Sequence, residues 1–553
     1  MSDEIPPLSF DLIARPWIPV QRLDGSEEEL SLREVVEQAV SLRRIVGDVP
    51  TQEFALVRLV LAIVHDAIEG PRDSEHCAEL WRDGLPSERI AAYLDRCRDR
   101  FDLLHPRTPF FQVADLRTAK DEYFALDRIV ADVPNGAPFF TMRARGVGRL
   151  GFAEAARWVV HVHAYDPSGI KSGAVGDHRV KGGKGYPQGV GWTGNLGGVL
   201  VEGDNLHETL LLNLIAADAD NLHIDADDRP AWRRDSPGAA PADARELAAR
   251  PSGVRDLYTW QSRRLRLRYD AEGVYGALLA YGDPLTPHNL HNREPMTSWR
   301  RSPAQEKKLG RSQVYLPREH DPTRTAWRGL AALITGRATG AEQRKEAAAV
   351  VRPRVLDWVN RLANEGLLAH DHLIRVRLCG VVYGTQQSVI DEIVDDGVAM
   401  AVAVLHQRDA ELGQTAVDAV GDAERAVTAL GDLAQRLAQA AGAETEGPKA
   451  TARDLGFAAL DGPFRHWLHG LHADDDPEAK RGEWQRCARR TVLDLGKQLV
   501  DQAGDAAWTG RLIDTGTGSF WLTAGGADLR FRAELKKRLP MSTTDEQTDE
   551  ART

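Results

Sequence analysis

Two pairs of histidines are the first residues in this chain to test for chemistry, because imidazole serves both as metal ligand and as general base. His161 and His163 alternate on a predicted strand, and His288 and His291 lie in the loop PLTPHNLHNREPMTSWRRSP. Neither pair has a cysteine or carboxylate at metal-ligand spacing. Core or surface histidines are the stronger reading, and a cytosolic metal-dependent hydrolase using His161 or His163 stands as the alternative. Glycine is the second candidate. Between Ser168 and Gly198, 11 of 31 residues are glycine, accompanied by Lys171, Arg179, Lys181 and Lys184, with Asp177 the only acid. Such a loop system lets the main chain approach a ligand and turns bare N–H groups toward phosphates or groove edges; its bland reading is a solvent-exposed linker. It is not a phosphate-cradling P-loop, since Lys184 is followed by Gly185 rather than Ser or Thr, and its glycines do not lead into a helix as a dinucleotide fold requires. The sequence has no G-x-S-x-G elbow, no H-E-x-x-H and no kinase set. Binding is favoured over turnover.

The net charge of −12 opposes a nucleic-acid partner until its distribution is read. Residues 251–390 carry 22 Lys+Arg against 13 Asp+Glu, or +9, whereas the remainder carries 48 against 69, or −21. A basic island of this kind suits a polyanion, although solvated arginines that happen to fall together would give the same count.

Those residues need elements to hold them. At 553 residues, 42% hydrophobic and 27% charged, the chain has globular composition and more than one core. The run RPWIPV predicts an edge strand, because prolines interrupt it. Ser31 followed by Glu34 is a capping box that starts a helix, and a second helix begins near Thr51. RRLRLRY, Arg263–Tyr269, alternates as a strand with one basic face, and Pro284–Pro303 must be a long loop. After residue 390, Val417, Val420, Val427, Leu430, Leu433 and Leu437 recur at helical steps, the first of about four amphipathic helices. The expected class is α+β: a large mixed α/β N-terminal domain over 1–390, then a C-terminal four-helix bundle over 391–540, then a disordered acidic tail over 541–553. Four scattered cysteines, Cys77, Cys97, Cys379 and Cys487, suit a reduced compartment. With no apolar run long enough for a membrane and an acidic start, the expected location is cytoplasmic.

In order along the chain, RPWIPV with SLREVV, LHPRTPFFQV, the glycine-rich loop, and VVYGTQQSVI just before the helical segment resemble the CasA family, large subunits of the type I-E CRISPR surveillance complex Cascade. The resemblance implies a non-catalytic protein that recognises a protospacer-adjacent motif in double-stranded DNA from the minor groove. It also implies a subunit that opens the duplex for R-loop formation and recruits a separate helicase-nuclease. Implied partners are target DNA, the guide RNA and the backbone, small and guide-end subunits. No cofactor is implied, and no zinc, because the cysteine cluster of some relatives is absent. By the same resemblance, Gln387, with Thr385, Gln386 and Ser388 around it, corresponds to a wedge. Gly169, Ile170, Lys171, Ser172 and Gly173 correspond to a minor-groove glycine loop, here with fewer consecutive glycines and a longer following insertion. Arg293 is the candidate for a basic finger, and Phe140, Arg143 and Arg145 for a loop touching guide and target. Independently of the resemblance, the basic composition of the glycine-rich stretch makes Arg179, Lys181 and Lys184 candidate phosphate contacts. Without the resemblance, Gln386 and Gln387 read as residues flanking a helix that starts near Val389.

Overall fold

The computed structural model describes residues 8–131, 146–219, 222–334, 350–405, 411–514 and 518–543. Local chemistry sets the first elements. Ser31 accepts the Glu34 N–H at 3.3 Å while the Glu34 carboxylate accepts the Ser31 N–H at 2.9 Å, so the capping box opens the helix Leu32–Glu37 as expected. The strand Ile18–Arg22 before it is central rather than an edge, flanked by Glu27–Leu30 and Leu42–Ile45. Pro19 is tolerated there because its carbonyl still accepts the Val46 N–H at 2.9 Å. Pro50–Ile68 forms a helix buried along nearly its whole length, with Phe54, Leu56, Leu59 and Leu61 in the core.

The chain divides into two compact units: Met1–Arg324 with Ala348–Leu367 and Arg375–Gly397, and Thr325–Ala347 with Leu368–Ile374 and Val398–Thr553. The fold is mixed α and β with its long helices toward the C-terminus. Asp391, where composition changes, lies inside the strand Ile390–Ala401, which pairs with Leu373–Tyr383 in a three-stranded sheet completed by Gly198–Glu202.

Within the first unit, Arg263–Asp270 and Gly273–Tyr281 form a two-stranded ribbon. The segment around His161 and His163 is a helix, Phe152–Tyr165, not a strand: its valines satisfy a helical stripe in which Ala155, Trp158, Val159 and Val162 are buried. The basic face predicted for Arg263–Tyr269 is largely neutralised. Arg264 pairs with Asp283 at 2.6 Å, Arg268 with Asp121 at 2.8 Å, and Arg263 on the other face with Asp166 at 2.5 Å.

In the second unit, Glu411–Ala441 packs on Glu446–His469, Pro477–Asp501 and Ala524–Arg538. Val420, Val427, Leu430 and Leu433 line its buried stripe. Phe464 stacks on Trp327 at 4.4 Å and meets Trp484 edge-on at 5.0 Å. Asp422 is fully buried and accepts from Arg481 and Gln485 at 3.0 Å each. Met541 and Ser542 are not free: the Met541 N–H reaches Gln485 at 2.9 Å and Ser542 is buried, while residues 544–553 of the expected tail lie outside the described residues.

Candidate functional site

Tyr383-Gly384-Thr385-Gln386-Gln387-Ser388-Val389 is the tip of the hairpin made by Leu373–Tyr383 and Ile390–Ala401. A strand, not a helix, follows Val389, so the two glutamines cap nothing. The Gly384 N–H bonds Val389 O at 3.1 Å and the Gln387 N–H bonds Gly384 O at 2.8 Å, closing the turn. A Cβ on Gly384 would lie 2.5 Å from the exposed Asp391 carboxylate, which would have to swing aside. Gln386 and Gln387 both hold left-handed backbone, at φ +57° and +55°. For residues with a Cβ this conformation costs about 1–2 kcal/mol each. Thr385, Gln386 and Gln387 are exposed, and among the described residues neither glutamine side chain makes a hydrogen bond. The tip therefore presents two uncommitted amides on a tight, strained turn.

Its base is stapled. Arg377 donates to Asp395 on the other leg at 2.6 and 2.9 Å and to Glu53 on the buried helix. Burial pushes Glu53 upward from the usual carboxylate range, with Arg377 opposing that shift. Tyr383 donates to Tyr165 O at 2.7 Å.

The glycine loop lies against this tip. The Ser168 N–H donates to Gln387 O at 2.7 Å. One residue on, Gly169 is held on both sides by a single phenol: Tyr281 donates to Gly169 O at 2.6 Å and accepts from Gly169 N–H at 3.1 Å. The expectation of bare N–H groups thus fails at Gly169, whose donor is used inside the protein. Ile170 is exposed. Lys171 points inward, bonded to Asp166 at 2.7 Å, and burial draws its ammonium below the usual lysine range while Asp166 resists. Ser172 is buried, and a Cβ on Gly173 would sit 2.5 Å from the Gly183 backbone, so this glycine permits a close crossing of two chain segments.

The remaining candidates separate. Arg179 forks onto Asp177 and donates to Tyr281 O and Gly282 O, each at 3.0 Å, which ties it into the scaffold. Lys181 and Lys184 are exposed on a tight turn, without an ion pair among the described residues. Arg293 is engaged by Asp225 at 3.0 Å and by Pro251 O, so it does not stand out as a finger. Its neighbour Glu294 is fully buried in a two-bond pair with Arg58, at 2.9 and 2.8 Å, and fixes this segment from within; the expected 284–303 loop is not loop throughout, since Trp299–Arg301 is a strand paired with Tyr315–Pro317 and Val350–Val351. Phe140, Arg143 and Arg145 lie outside the described residues.

The hydrolase alternative loses its residues. His161 is buried and bonded to Thr51 at 2.9 Å, and burial holds it neutral with a pKa pulled down to about 3. His163 bonds Phe111 O at 2.8 Å, its pKa pulled by burial to about 4. A cavity of 450 Å³ near the loop includes His161 and Asp166 in its wall, but Asp166 is already spent on Lys171 and Arg263. Among the described residues no three His, Cys, Asp or Glu side chains form a metal-holding group. Sequence reasoning missed Tyr281, which carries no motif.

A family model described as CRISPR-associated protein Cse1 matches residues 11–495. The chain belongs to the Cse1 family. The crystal structure of Thermobifida fusca Cse1 is 68% identical, with a TM-score of 0.91 over 97% of this chain and 99% of that one. Cse1 from Acidimicrobium ferrooxidans is 31% identical, with a TM-score of 0.80 over 97% and 98%. A CRISPR-associated protein CasA/Cse1 from Thermus thermophilus is 31% identical over 295 residues, 53% of this chain, so the chain spans about half the length of that curated relative, 55%. The same fold, at 18% identity and a TM-score of 0.64, occurs in a chain of a CRISPR RNA-guided surveillance complex, covering 96% of this chain and all of that one. Among the described residues no helix is long and apolar enough to cross a membrane.

Proposed function

We propose that this chain is the non-catalytic large subunit of a type I-E CRISPR Cascade complex, which reads a short motif in double-stranded target DNA through the minor groove and wedges the duplex open beside it. The observation that carries the reading is the bond between Ser168 N–H and Gln387 O, which holds the glycine loop beside an exposed two-glutamine tip. A slender loop around Gly169 and Ile170 suits a groove about 6 Å wide, whose edges distinguish little beyond A·T from G·C. Gln387, supported by Gln386, Thr385 and Ser388, is the wedge. Inserting a side chain between base steps costs a few kcal/mol of stacking and leaves a duplex that opens more easily. Because exchange of a DNA duplex for a guide heteroduplex is nearly balanced, a local push of that size decides whether opening starts.

The partners that go with this role are the guide RNA, the backbone, small and guide-end subunits, and a helicase-nuclease recruited after R-loop formation. Phe140, Arg143 and Arg145 remain proposed contacts to guide and target. The test is Gln387→Ala in the assembled complex, comparing retention of a motif-bearing duplex with strand opening followed by a fluorescent base analogue next to the motif. Retained binding with lost opening supports the wedge. Full opening by the variant would falsify it.

A further inference from the structure

We infer that the turn Lys181-Gly182-Gly183-Lys184 is a phosphate-binding clip that grips the DNA backbone without regard to base sequence. The other cations of the glycine-rich region are committed: Lys171 to Asp166, and Arg179 to Asp177. Lys181 and Lys184 alone in this stretch are exposed and lack an ion pair among the described residues.

Their arrangement is unusual. Gly182 and Gly183 have φ of +57° and +73°, the two consecutive positive values of a tight hairpin turn. Lys181 and Lys184 exchange reciprocal N–H···O bonds of 3.1 Å each, so they are directly opposed across a hydrogen-bonded pair. In such a pair the Cα atoms are about 5.5 Å apart and both side chains leave the same face. Like charges so placed destabilise a ribbon. An anion seated between the two ammonium groups removes that repulsion, which is why the pair points to a ligand rather than to a solvated surface.

Register selects the anion. The ladder sets Lys184 opposite Ser172, three residues from Gly169. At roughly 3.3 Å per residue the lysines stand about 10 Å from the loop apex. With that apex in a minor groove about 6 Å wide, the lysines fall on the phosphates along its wall. The register rests on the minor-groove reading above, whereas the grip itself does not need the motif.

The experiment uses the assembled complex with Lys181→Ala/Lys184→Ala, and measures dissociation constants across a salt series on duplexes with and without the motif. Each phosphate contact contributes about 0.9 to the slope of log K against log salt. The expected result is a slope shallower by about 1 to 2 on both duplexes, restored by Lys181→Arg/Lys184→Arg, with strand opening at saturating protein unchanged. An unchanged slope overturns the clip, as does a change confined to the motif duplex, which would make the lysines base readers. Polyglutamate that competes with the wild type but not with the double alanine variant, DNA affinity being equal in both, would assign the clip to an acidic protein instead and likewise overturn it. Failure of the wedge reading is seen separately, as full opening by Gln387→Ala with the clip's salt slope intact.

Discussion

Two turns in the same unit solve the same conformational problem with different residues. At the lysine turn, Gly182 and Gly183 occupy left-handed backbone and avoid the Cβ penalty; at the hairpin tip, Gln386 and Gln387 occupy nearly the same φ values and incur it. One turn uses its flanking side chains, so the central pair can be bare. The other keeps side chains at the centre, where folding alone would favour glycine. Strain retained at an exposed position whose side chains make no hydrogen bond among the described residues points to a task for the glutamines themselves.

The largest expected effect reaches both turns through their shared scaffold. His65, His161 and His163 are buried in this unit and His320 is half-buried, with desolvation pulling their pKa values to about 3, 3, 4 and 4. The unfolded chain titrates near 6.5, so below that pH it takes up protons that the folded rings refuse. Their stabilising contribution is complete above 6.5 and falls toward pH 4, by up to about 1.4 kcal/mol per pH unit for each ring. Thermal melts from pH 7.5 to 5 should show a steep drop in Tm, and a flat profile would mean these rings are not held neutral.

Next, Gln387→Ala should slow strand opening about 100-fold, equivalent to roughly 2.7 kcal/mol. Exchanging the chemistry of the turns sharpens the contrast. Gly182→Gln/Gly183→Gln should destabilise the protein by about 2 kcal/mol, whereas Gln386→Gly/Gln387→Gly should stabilise it by up to about 1 kcal/mol while abolishing opening, both read by denaturant melts. Equal stability changes at the two sites would remove the argument from strain.

The smallest effect on DNA recognition is expected for Tyr281→Phe, which keeps the ring and removes both bonds to Gly169, worth about 1 kcal/mol each. Discrimination between motif and non-motif duplexes should fall several-fold, with a loss of stability of up to about 2 kcal/mol in denaturant melts. That effect should shrink in a Gln387→Ala background if loop and tip work as one part.

Local rules made several elements legible: the Ser31 box, the buried Pro50–Ile68 helix and the valine and leucine stripe of Glu411–Ala441 all follow from spacing. Pairing over long distances was not legible. His161 and His163 alternate like strand residues, but their neighbours bury a helical face. Arg293 looked like a free cation because nothing in sequence brings Asp225, 68 residues away, to it. The basic island shrank for the same reason, since Arg263, Arg264, Arg293 and Arg377 each meet a carboxylate from a distant segment. The glutamine turn was legible only through family resemblance, as its left-handed backbone leaves no trace in residue type.

The clasp of Arg377 on Asp395 and Glu53 has a mechanical consequence. A wedge that forces bases apart receives an equal recoil, and a free two-stranded arm would bend under it. In the proposed role, recoil arriving along either leg would be handed to the guanidinium and from there to a nineteen-residue helix embedded in the core. The arm is stiff where it leaves the protein, and in that role deformation would be left to the softer body, the DNA.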